Sequence, residues 1–176
     1  GLEYASGGKQ DAEGRYIIAN RPVEVIVKDD ELTPDKGVAL ARELIEKDGV
    51  EILQGPVSSA VAVALTTVAL ENKMILMIDP AASPFTTGAN FNPYVFRTSR
   101  TNYDDTLVIA KYLVENVSTQ FAHIYIDNAF GQGGNTALEF AVGKYGGEVI
   151  APIPAPAETT DYTAYIQQAM DSGAGC

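Results

Sequence analysis

The sequence predicts an α/β fold of mostly parallel strands with helices on both faces. Short apolar runs alternate with amphipathic segments of helical length along all 176 residues. The connections between them are short, as expected where each strand hands over to the next helix. One run, Met74-Ile75-Leu76-Met77-Ile78, is continuously apolar, which marks a strand buried on both faces.

Residues 1–14 are polar and glycine-rich, with Leu2 and Tyr4 read as the tail of a helix. Asn20-Arg21-Pro22 splits two apolar runs. The second, Val23-Glu24-Val25-Ile26-Val27, reads as a strand ending in Lys28-Asp29-Asp30. Thr33-Pro34 opens a helix as N-cap and first-turn proline. Val38, Ala41, Leu44 and Ile45 form its apolar stripe, and Asp48-Gly49 closes it. A strand over 51–54 runs into Gly55-Pro56-Val57-Ser58-Ser59, and an alanine- and valine-rich helix covers 59–72. The strand over 74–78 ends in Asp79-Pro80-Ala81-Ala82-Ser83. Tyr94-Val95-Phe96 is a further strand, ending in Arg97-Thr98-Ser99.

A second unit begins near Arg100, dividing the chain into 1–99 and 100–176. Residues 101–117 read as a helix with Leu107, Ala110, Leu113 and Val114 on one face. A strand over 122–126 ends in Asp127-Asn128-Ala129-Phe130-Gly131. A helix over 137–145 is closed by Gly146-Gly147, a strand covers 149–153, and Thr160-Asp161-Tyr162 opens a last helix to about 170. In parallel sheets of this kind ligands sit at the carboxyl ends of the strands, where the loops at 55–59, 79–83 and 97–99 fall together.

The stretch at 55–59 carries the most chemistry. Gly55 lets the chain turn and Pro56 fixes φ. Ser58 or Ser59 is suited to cap the helix that follows. A helix start with hydroxyls and unpaired N–H groups at a strand end favours an anion such as a carboxylate. The same serines would serve a plain N-cap, and the stretch alone leaves both readings open.

Composition narrows the function classes. Hydrophobic residues are 46% and charged residues 20%, ordinary for a globular chain. A net charge of −11 argues against nucleic acid or an anionic membrane as partner. The single cysteine is Cys176, so no internal disulfide forms. His123 is the only histidine and lies inside an apolar strand, which leaves Ser-His-Asp, Cys-His and zinc sites without material. Gly131-Gln132-Gly133-Gly134 lacks both the spacing of a dinucleotide fingerprint and the lysine of a P-loop. Asp29-Asp30 with Asp79 would suit the magnesium site of a phospho-receiver, a weaker alternative along with a small α/β enzyme. No catalysis, no cofactor and no metal are expected.

Several of these segments together resemble the type I periplasmic solute-binding proteins of branched-chain amino acid and amide ABC transporters. They are Glu24-Val25-Ile26-Val27-Lys28-Asp29-Asp30, Gly55-Pro56-Val57-Ser58-Ser59, Ile78-Asp79-Pro80-Ala81-Ala82-Ser83, Tyr94-Val95-Phe96-Arg97-Thr98 and Ile126-Asp127-Asn128-Ala129-Phe130-Gly131, in the family's order and spacing. The resemblance implies two Rossmann-like lobes closing on a small ligand, in the periplasm or outside the cell, with ABC permease subunits as partners. It implies an amino acid or related small carboxylate as ligand.

The resemblance also implies roles for single residues. Ser59 matches the serine whose hydroxyl and N–H hold the ligand's carboxylate, and Ser58 the neighbour that assists. Ala81, followed by Ala82, matches the residue whose carbonyl accepts from an ammonium. Ser83 matches a hydroxyl residue touching both ends of the ligand. Phe130 stands where an aromatic residue, commonly tyrosine, closes over the ligand, and the missing hydroxyl makes that wall drier. Family members start with a further strand and helix before the point matching Gly1, and continue past the point matching Cys176. The chain is therefore expected to be a fragment of a protein about twice as long, with the ammonium-binding carboxylate outside it. A ligand-sensing regulatory domain of the same fold is the alternative.

Overall fold

The computed structural model describes residues 1–176. It opens with one helical turn, α1 (Leu2–Ser6), closed by Gly7 in the left-handed region. A minimal antiparallel hairpin follows, β1 (Ile17–Ile18) with β2 (Arg21–Pro22). Its turn residues Ala19 and Asn20 sit at φ 51 and 63, the left-handed geometry that a two-residue hairpin turn requires.

The strand expected at 23–27 does not form. The segment carries no ladder, and Val27 is 83% exposed. A strand exists only through its neighbour, and none lies alongside. A cavity of about 340 Å³ separates Lys28, Asp29 and Asp30 from the loop Gln54-Gly55-Pro56-Val57.

α2 (Pro34–Glu46) starts where Thr33-Pro34 indicated, and α3 (Ser59–Asn72) keeps its predicted bounds. β3 (Ile52–Gln54), β4 (Ile75–Ile78) and β5 (Val95–Arg97) form a parallel sheet in that order. Register sets Leu53 beside Leu76 and Leu76 beside Val95, a buried row under α3. Val61, Leu65 and Val68 of α3 and Ala41 of α2 complete this core, with Val38, Leu44 and Ile45 packed against it. The two helices approach closely at Gly37, where a Cβ would lie 2.5 Å from Val61 Cγ1. The continuous apolar run of β4 is not buried on both faces. Leu76 and Ile78 are, but Ile75 points away from α3 and is 39% exposed. The Gly55–Pro56 and Asp79–Pro80 peptide bonds are cis.

A second, separate parallel pair is formed by β6 (Gln120–Ile126) and β7 (Glu148–Ala155). It sits with α4 (Asn102–Asn116), α5 (Ala129–Gly143) and α6 (Thr163–Asp171). Ala110, Phe121, Ala141 and Val142 are its buried centre, with Leu107, Leu113 and Val114 against them. The far side of β6 meets the last residues, through Gly175 N–H to Gln120 O at 3.0 Å and Ala122 N–H to Cys176 O at 2.7 Å. β7 is thus the edge strand, which is where Pro152 and Pro154 are tolerated.

One helix start differs from expectation. α5 begins at Ala129 instead of 137, because the Asn128 side chain accepts from Phe130 N–H at 3.0 Å and Gly131 N–H at 3.1 Å. Its early glycines are poor helix formers, yet packing requires them. Any side chain at 131 would run into the Ile126 carbonyl. α6 begins at Thr163 with Tyr162 as N-cap, as Thr160-Asp161-Tyr162 indicated, and Asp161 accepts from Thr163 N–H at 2.9 Å.

Candidate functional site

The carboxyl ends of β3, β4 and β5 lie side by side, so three loops distant in sequence meet. Gly55, at φ 113, turns the first loop into α3. Of the two serines there, Ser58 is the cap. Its hydroxyl accepts from Val61 N–H at 3.4 Å. The next position, Ser59, is 2% exposed, and its Oγ accepts from Ser83 N–H at 3.2 Å. Ser83 is fully buried, and its own Oγ accepts from Phe85 N–H at 3.3 Å. Neither hydroxyl donates within the chain, so both keep an O–H to offer. Ser59 and Ala60 N–H, in the first turn of α3, also have no partner.

Ala81 and Ala82 are buried between these loops. Ala82 O accepts from Asn102 N–H at 2.9 Å, tying the loop after β4 to the start of α4. Arg97, at the end of β5, reaches back over the same loop. Its Nη1 donates to Ala81 O, and its Nη2 donates to Ser83 O at 2.5 Å and to Thr86 Oγ1. Burial holds its guanidinium below the ordinary arginine value, with Asp104 acting in the opposite sense. Arg97 and Asn102 escaped the sequence reading as site residues. The available signal was a charged residue closing an apolar strand at a carboxyl edge.

α5 closes the arrangement from the second unit. A Cβ at Gly133 would stand 2.7 Å from Pro84 Cδ and 2.9 Å from Ser83 Oγ, so the helix backbone rests directly on the serine loop. Phe130, one turn earlier, is 45% exposed and lines a cavity of about 390 Å³ with Asn102, His123 and Tyr125. It belongs to neither buried core. His123 Nδ1 lies 3.0 Å from Asn135 Oδ1, and Asn135 donates to Glu139, a satisfied structural arrangement.

Asp29, Asp30 and Asp79 border the first cavity, but no three carboxylates, histidines or cysteines gather as a metal-binding group. Asp29 and Asp30 instead accept from Glu31 N–H and Leu32 N–H at 2.9 and 2.8 Å.

Parallel strands whose carboxyl-edge loops carry hydroxyls and N–H groups without partners in the chain define an α/β protein with a candidate anion-binding edge. A family model described as periplasmic binding protein matches residues 9–176, and the chain belongs to that family, in its type I branch of branched-chain amino acid ABC transporters. It is a family of transport receptors, not of enzymes. The "Leu/Ile/Val-binding protein homolog 6" of Brucella abortus is 30% identical over 165 residues, covering 93% of this chain and 42% of that protein. A solved ABC-type branched-chain amino acid transporter from Rhodopseudomonas palustris is 35% identical with a TM-score of 0.67, covering 98% of this chain and 44% of its own. A solute-binding protein of an ABC transporter from the same species, solved with p-hydroxybenzoic acid, is 30% identical with a TM-score of 0.78, covering 93% and 44%. The chain thus spans less than half the length of the relatives it matches.

Proposed function

We propose that residues 1–176 form the carboxylate-holding part of an extracytoplasmic receptor that delivers a small carboxylate to the permease of an ABC transporter. Residues 1–99 and 100–176 belong to its two lobes, and the ligand sits between them. The carboxylate end rests on the Ser59 and Ser83 hydroxyls and on the free first-turn N–H groups of α3. Ala81 and Ala82 form the floor, Ser58 supports from the cap, and Phe130 supplies an apolar wall on the α5 side. The periplasm is the location that the family supports.

The observation that carries this reading is the Ser83 N–H to Ser59 Oγ hydrogen bond. It brings two hydroxyls with uncommitted O–H groups to the start of a helix at the carboxyl edge of a parallel sheet. The ligands named for relatives, branched-chain amino acids and p-hydroxybenzoic acid, share one carboxylate beside an apolar group. Ser83 lies under Gly133 and Pro84. A ligand therefore enters when α5 lifts from this loop, and closure shuts water out.

Calorimetric titration with matched acids and amides tests the reading. L-leucine is compared with L-leucinamide, and 4-hydroxybenzoate with 4-hydroxybenzamide. A hydrogen bond to a charged group contributes about 1.5–3 kcal/mol, so the acid of the binding pair should bind at least roughly tenfold tighter than its amide. Equal affinity of acid and amide overturns the carboxylate site.

A further inference from the structure

We infer that Arg97 is the positioning residue of this anion site: it orients the Ala81–Ser83 peptides so that Ala82 N–H and the two serine hydroxyls are left free for the ligand's carboxylate. The inference rests on the carboxylate reading above and adds to it a residue that makes no ligand contact of its own.

Four of the five arginines, Arg15, Arg21, Arg42 and Arg100, pair with carboxylates. Arg97 pairs with none. Its terminal nitrogens are committed to Ala81 O, Ser83 O and Thr86 Oγ1, and its Nε is buried without a partner. A half-buried cation solvated by neutral oxygens is a costly way to fasten a loop. It does, however, leave a fixed positive charge behind the site.

Peptide geometry carries the argument further. A trans peptide points its N–H opposite to its C=O. With Ala81 O turned to the guanidinium, Ala82 N–H is turned away from it. That N–H has no partner in the chain, although Ala82 is 2% exposed. The following peptide is held at both ends, Ala82 O by Asn102 N–H and Ser83 N–H by Ser59 Oγ. Arg97 therefore sets the plane of one peptide and, through it, the position of the Ser83–Ser59 pair. An unpaired buried donor is unfavourable until an acceptor arrives. A guanidinium on the far end of the same peptide polarises that donor toward an anion.

The test uses the full chain, calorimetry with L-leucine and 4-hydroxybenzoate as probes, and amide hydrogen exchange. Arg97→Met should weaken the tighter-bound probe by roughly tenfold or more, as expected when a group that fixes geometry is lost. Arg97→Lys keeps the charge but cannot span both carbonyls, so it should recover part of that loss. Exchange at Ser83 and Asn102, whose N–H groups hold this loop, should quicken in both variants, while Val68 and Ala69 in α3 stay protected. Arg97→Met and Ser59→Ala should combine to less than the product of their separate effects, because both act on one site. Wild-type affinity in Arg97→Lys with quickened exchange, or strictly multiplicative losses, overturns the role. If Ser59→Ala weakens binding and the Arg97 variants do not, Arg97 alone is misassigned. If Ser59→Ala also binds as wild type, the carboxylate site falls and the Arg97 role falls with it.

Discussion

Adjacent serines 58 and 59 should separate cleanly into cap and ligand holder. The Ser58 cap bond is 3.4 Å long, at the weak end of hydrogen-bond geometry. Ser58→Ala should therefore cost about 0.5 kcal/mol, the low end for a lost N-cap. For a chain of this size that is a drop of roughly 1–2 °C in Tm. Ser59→Ala removes the acceptor for Ser83 N–H in a place both residues keep dry. An orphaned buried donor costs about 1–3 kcal/mol, so Tm should fall by roughly 2–12 °C. Binding should divide the variants more sharply. Losing a hydroxyl that donates to a carboxylate removes about 1.5–3 kcal/mol, or roughly tenfold to a hundredfold in affinity. Ser58→Ala should stay within about threefold of wild type, since Ser58 meets only Val61 N–H of its own helix and makes no bond to the Ser83 loop. Ser6→Ala, in the hydroxyl turn closing α1, should change affinity not at all. Calorimetry with L-leucine and 4-hydroxybenzoate, beside thermal denaturation, reads both quantities. Equal affinity losses at 58 and 59, or a Ser59→Ala variant that melts earlier but binds as wild type, refute the assignment.

Gly131→Ala sets local propensity against packing. Helix propensity alone predicts a gain of about 1 kcal/mol, whereas the collision with the Ile126 carbonyl predicts a loss, to be read by urea denaturation. Leu76→Ala should lower stability by about 2–5 kcal/mol in the same assay, since Leu76 is fully buried between Leu53 and Val95. Asp104 accepts from Thr101 N–H at 2.7 Å and Thr101 Oγ1 at 2.9 Å, and these bonds hold its carboxyl below the ordinary aspartate value. A folded-state pKa below the unfolded one stabilises at pH above the unfolded value, and that stabilisation is lost as pH falls through the folded one. Asp104→Asn should therefore be less stable than wild type at neutral pH, and the difference should start to shrink as pH falls below about 4. A gap of unchanged size in acid rules this out.

The sequence by itself determined the elements whose signals are local. The bounds of α3 follow from a turn-and-serine start and an unbroken helix-forming run. The start of α2 follows from Thr33-Pro34, and its buried stripe from 3.6-residue spacing. β4 was legible as a strand because nothing else accommodates so short an apolar run between two turns. The carboxyl-edge loops were legible for the same reason, since parallel βα order places them together.

The tertiary structure decided whatever depends on a partner distant in sequence. Val23-Glu24-Val25-Ile26-Val27 has strand composition but no neighbour to bond, so it stays an extended segment. The Gly131–Gly134 region reads as a loop on propensity, yet it is helical, because only glycine lets α5 rest on Ile126 and Ser83. Which serine caps and which meets Ser83 is set across 24 residues of chain, and the hold of Arg97 on Ala81 and Ser83 across 16 and 14. No window of sequence contains both ends of such a bond. Hydrophobic periodicity specifies which face of an element is buried, but a hydrogen bond between loops forms only after the sheet has set their spacing.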